Sequence, residues 1–100
     1  MSDRITILDR IDGEREYQIQ RWGTADEEIN MPNDFVAYIS HYSTKWFNGQ
    51  FAPYNLETLV RFNEAMVKTA AIAVAAAELS EKIINGEIDR PDILKSETEA

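Results

Sequence analysis

Cysteine is absent from this chain and histidine occurs once, at position 41. The first absence excludes a disulfide framework and any zinc–thiolate centre. The second leaves no set of imidazoles for a metal. No Gly-x-Ser-x-Gly turn and no glycine-rich phosphate loop occurs, so a serine triad and a P-loop are both excluded as readings. Four glycines and three prolines in 100 residues leave long stretches without a helix breaker. Positive charge is also scarce: ten basic residues against eighteen acidic ones give a net charge of -8. That balance disfavours duplex nucleic acid, whose phosphates need a cationic face. The longest apolar run, residues 70–77, falls far short of the roughly 20 residues that span a bilayer. Residues 1–10 carry alternating charges and no apolar signal-peptide core, so the expected setting is cytoplasmic, with no membrane partner.

What is present is helical. A hydrophobic content of 44% over this length suits one small all-α domain. Ser2 or Asp3 can cap a first helix carrying Ile5, Leu8 and Ile11. Gly13 either kinks it or marks a new start, and Gly23 is placed to end it in a left-handed cap. Residues 24–31 read as an acidic loop. Pro32 fits the first position of a second helix, with Asn33 and Asp34 at its positive dipole end. Phe35, Ile39, Tyr42 and Trp46 give that helix an aromatic face, while Asp34, Tyr38, His41 and Lys45 form a second stripe about a quarter turn away. Asn48-Gly49 and Pro53 end it in a loop holding Phe47, Phe51 and Tyr54, which is either pinned on the core or a lid. Asn55 can cap a third helix of about 30 residues, or ~45 Å, ending at Asn85-Gly86. Its alanine-rich middle is apolar nearly all round and needs cover on more than one side. These elements predict a three-helix antiparallel bundle over residues 1–86, with a short docking turn and acidic tail over 87–100. They also predict a homo-oligomer, dimer or higher, because three helices leave the long one undercovered.

The chemically informative stretch is residues 13–23. Leu8, Ile11, Arg15, Gln18 and Trp22 share one stripe at 3,4,3,4 spacing, so an arginine and a glutamine occupy positions that should face the protein. Burying such groups unpaired costs several kcal/mol, which implies partners or a ligand. Glu14 and Arg21 border the stripe. Together with the second helix's polar edge, the candidate ligand-binding set is Glu14, Arg15, Gln18, Arg21, Trp22, Asp34, Tyr38, His41 and Lys45. Arginine and lysine can hold phosphate, Trp or Tyr can stack on a base, and amide or carboxylate groups can read base edges. The mixture fits a nucleotide-sized anion. It also fits an ion-pair lattice among Glu14, Arg15, Asp34 and Lys45.

Glu14-Arg15-x-Tyr17-Gln18-x-x-Arg21-Trp22-Gly23, Asn33-Asp34-Phe35-Val36-x-Tyr38-Ile39 and the run from Met66 to Glu78 resemble small bacteriophage proteins related to the MazG-like all-α nucleotide pyrophosphohydrolases. The resemblance covers roughly residues 11–82. Active members of that superfamily hold magnesium with Glu-Glu-x-x-Glu on one helix and Glu-x-x-Asp on the next. Neither motif occurs here, since Glu64 is followed three positions later by Val67. The resemblance therefore implies a nucleotide-binding phage protein with no catalytic residues, no metal site and no cofactor, which could act as a sponge for a host signalling or cyclic nucleotide and so counter a defence system. One alternative is a divergent magnesium-dependent nucleoside triphosphate pyrophosphohydrolase, drawing carboxylates from Glu14, Glu64, Glu78 and Glu81. Another is an acidic protein-interaction module in which the polar cluster is structural.

Overall fold

A computed structural model of the chain describes residues 3–23, 28–47 and 55–98, with side chains over 3–23, 28–44 and 55–94. Among the described residues there are four α-helices and no strand: α1 (Asp3–Trp22), α2 (Pro32–Phe47), α3 (Leu56–Ile84) and α4 (Pro91–Thr98). Gly13 lies inside α1, which runs through it unbroken. Gly23 ends α1 at φ 80°, its N–H donating to the Ile19 carbonyl at 2.7 Å. Only glycine adopts that conformation without steric cost.

Pro32 opens α2, and Asp34 completes the cap by accepting the Met31 N–H at 2.7 Å. At the start of α3, Asn55 Oδ1 accepts the Thr58 N–H at 2.9 Å and Thr58 Oγ1 accepts the Asn55 N–H at 3.0 Å. This reciprocal box satisfies two of the helix's orphan donors. The predicted length of α3 agrees with its 29 residues.

The long helix is the axis of the molecule. Phe35 of α2 packs with Ile72, Ala75, Leu79 and Ile83 of α3, and Ile39, Tyr42, Ile88 and Ile93 surround that cluster. On the other flank, Arg15 of α1 reaches Glu78 of α3. Both flanking helices contact α3, and their backbones make no close approach to one another. The anticipated need for cover on two sides of α3 is met in this way along its middle and C-terminal half.

Two expectations are corrected. Residues 91–98 form a fourth helix where a docking turn and tail were expected. Pro91 supplies its first turn, Arg90 and Asp92 clamp its start, and Ile93 anchors it on the core. The helices also do not alternate up and down. On α1, Arg15 pairs with Glu78 while Trp22 shares a groove with Lys68 and Ile72; on α2, Pro32 lies by Ile83 and Ile84 while Tyr42 lies by Lys68 and Ile72. Both α1 and α2 therefore run against α3 and in the same direction as each other. The cause is the segment before α2. Arg90 donates to the Glu28 carbonyl and to that of Asn30 at 3.2 Å, and Lys82 pairs with Glu28 at 3.1 Å. These contacts return the chain to the C-terminal end of α3 before α2 begins.

The molecule extends 52 × 30 × 24 Å. Asp3 precedes Arg15 by about 18 Å of helix, whereas Ile84 follows Glu78 by about 9 Å, so α1 overhangs the end of α3. Ile5 and Leu8 on that overhang are exposed, as are Leu56, Leu59, Val60 and Phe62 at the opposite end of α3. No described helix is long and apolar enough to cross a membrane.

Candidate ligand cleft

The stripe that placed an arginine and a glutamine toward the protein is observed: Arg15 and Gln18 are the buried polar residues among those described. Their environments differ. Arg15 Nε donates to Glu78 Oε1 at 2.7 Å, with its side chain 9% exposed. That is a charge-assisted bond in a largely desolvated position. Gln18 is 3% exposed, and its amide has no hydrogen-bond partner among the described residues. No side-chain nitrogen or oxygen is sealed away without a partner there. The Gln18 amide therefore faces open space, and that space is the cleft.

The cleft has two joined chambers between α1, α2 and α3. The larger, about 460 Å³, is lined by Gln18, Trp22, Ile29, Asn30, Phe35, Tyr38, Tyr42, Ile72 and Ala75. Its volume lies in the range of small-molecule sites, and its walls are mainly aromatic and aliphatic. Phe35 and Tyr38 meet edge to face at 6.4 Å and 89°. Trp22 and Tyr38 both line this chamber and are each 45% exposed. The smaller chamber, about 250 Å³, shares Gln18, Trp22, Tyr42 and Ile72 with the first and adds Glu14, Tyr17, Arg21 and Lys68. Arg21 and Lys68 make no ion pair among the described residues. Two uncommitted cations thus border an aromatic chamber in a chain of net charge -8.

Of the sequence-predicted set, Glu14, Gln18, Arg21, Trp22 and Tyr38 line this cleft. Arg15 is turned to Glu78 instead. Asp34 is engaged in the α2 cap, and His41 lies outside the cleft with its ring edge-to-face on Tyr42 at 5.1 Å. The ion-pair lattice of Glu14, Arg15, Asp34 and Lys45 is not the arrangement observed for Arg15, whose carboxylate comes from α3. The Lys45 side chain lies outside what the structure describes, as do Phe51, Tyr54 and the side chain of Phe47 that were candidates for a lid.

Sequence reading missed Tyr42, Asn30 and Lys68. Tyr42 was counted as core because it sits on the greasy stripe of α2. Lys68 did carry a signal, being the one charged residue between Glu64 and Glu78. Among the described residues no three histidine or acidic side chains come together as a metal-holding group, and Glu78 is engaged with Arg15.

Arg90 supports the cleft from behind. Its guanidinium holds the Asp92 carboxyl below the ordinary carboxylate range through their paired hydrogen bonds, and Asp92 holds Arg90 above its own. The same guanidinium binds the carbonyls of residues 28–30, so it fixes the segment that carries Ile29 and Asn30 to the chamber. Compared with protein-family models, with curated proteins and with solved structures, the chain matches none.

Proposed function

We propose that this protein binds a nucleotide-type small molecule in the cleft between α1, α2 and α3 and holds it without hydrolysing it. The observation that carries this reading is Gln18, a residue only 3% exposed whose amide opens on the cleft without a hydrogen-bond partner among the described residues, at the junction of both chambers. An amide that opens on a cleft, with no protein partner, is free to hydrogen-bond a polar edge of a molecule seated there. A nucleobase supplies a flat ring for Trp22, Tyr38 and Tyr42 and polar edges for Gln18 and Asn30. Its phosphate meets Arg21 and Lys68. The resemblance over residues 11–82 extends the proposal to a bacteriophage setting, in which the protein would sequester a host signalling nucleotide.

Isothermal calorimetry against a panel of nucleoside mono- and triphosphates and cyclic nucleotides, with and without magnesium, tests the reading. Saturable heat with at least one member, and no release of pyrophosphate or phosphate, is the expected result. Absence of heat with every member removes the proposal, and magnesium-dependent turnover replaces it with the hydrolase reading.

A further inference from the structure

We infer that the small chamber is a subsite for one phosphate adjoining the ring, a 5′-monophosphate or one phosphodiester unit, and that Lys68 and Arg21 together hold it. The inference rests on the nucleotide reading of the large chamber and adds the charge and length of the ligand. Three observations carry it. The chambers meet at Gln18, Trp22, Tyr42 and Ile72, so a ring seated on the aromatic side places its next substituent at the mouth of the smaller one. That chamber, about 250 Å³, is little more than half the volume of its neighbour.

The third observation is charge. The subsite offers two cations, Arg21 and Lys68, and one carboxylate, Glu14, so its own balance is a single positive charge. A phosphodiester brings one negative charge and a phosphomonoester about -1.5 to -2 at neutral pH. Either comes close to neutralising that balance. A triphosphate brings more, into a chain already at -8, and would need a divalent cation to screen it. No group of three acidic or histidine side chains among the described residues is arranged to hold one. Arg21 from α1 and Lys68 from α3 approach from different helices, so a phosphate oxygen between them is gripped from two sides.

Calorimetry of the full chain with adenosine, AMP, 3′,5′-cyclic AMP and ATP, and the matching guanosine series, tests this. In the series whose base binds, the expected order is monophosphate or cyclic monophosphate tighter than nucleoside by about tenfold or more, the worth of one charge-assisted hydrogen bond. The triphosphate without magnesium is expected to bind more weakly than the monophosphate. Lys68→Gln, on the exposed edge of α3, is expected to remove that advantage and leave nucleoside affinity unchanged. Equal affinity for nucleoside and monophosphate, or an unchanged monophosphate affinity in Lys68→Gln, overturns the phosphate subsite while leaving the ring site standing. A triphosphate binding as tightly as the monophosphate overturns the single-phosphate assignment. No heat with any nucleoside or nucleotide overturns both this inference and the reading beneath it.

Discussion

Arg15 and Gln18 lie one helical turn apart on the same buried stripe and face opposite energetic situations. The guanidinium of Arg15 has Glu78 at 2.7 Å, while the amide of Gln18 opens on the cleft. An amide that makes no bond within the protein adds little to folding, so an isosteric apolar group at the same place costs little. Gln18→Leu is therefore expected to leave stability unchanged or raise it by up to about 1 kcal/mol in urea unfolding, and to abolish nucleotide heat. A loss of stability comparable to a core truncation would show that the amide serves the fold rather than a ligand. The sequence made this pair visible because a 3,4,3,4 spacing fixes which face a residue occupies. It could not separate the two, because the carboxylate that satisfies Arg15 lies 63 positions away.

At the scale of elements, local signals read well and long-range ones did not. Pro32, Asn55 and Gly23 mark helix ends through their own backbone chemistry, and each stands where that chemistry put it. Helix α4 was missed because its start depends on Arg90, a residue whose guanidinium is shared between Asp92 and carbonyls about 60 residues earlier. The direction of α2 was missed for the same reason. This clamp has a pH signature. The Asp92 carboxyl is held below its ordinary value in the folded chain, so its contribution is complete above about pH 4 and is lost as the pH falls through the lowered folded value. Asp92→Asn is expected to be less stable than the parent chain at neutral pH, with the difference closing only in strong acid. A difference that stays constant from pH 7 to pH 2 would rule the carboxylate out as its source.

The whole molecule leaves its two ends unevenly covered. Ile5 and Leu8 stand on the overhang of α1, and Leu56, Leu59, Val60 and Phe62 stand at the other end of α3. Exposed apolar clusters at separated places on a small domain favour self-association. The sequence predicted the lack of cover at the alanine-rich middle of the long helix, whereas α1 and α2 flank that middle and the exposed apolar residues named on α3 lie nearer its start. We expect sedimentation velocity at micromolar concentration to give a dimer or larger species, and Leu56→Glu with Leu59→Glu to shift it toward monomer. A parent chain that sediments as a monomer would remove the oligomer from the proposal. The general architecture, all helical with a long central element, was thus legible from periodicity alone. The cleft was only half legible, since Glu14, Gln18, Arg21, Trp22 and Tyr38 came from helix faces but Tyr42 and Lys68 required knowing how those faces meet.

The backbones of α1 and α2 each lie against α3 and make no close approach to one another, and the cleft opens between them. A flat molecule held by Trp22 on one side and Tyr38 or Tyr42 on the other would act as a strut between the two helices. Amide hydrogens in the last turn of α1 and the middle of α2 should then gain protection together when the cleft is filled, while those near Ile83, already locked by the core, should change little.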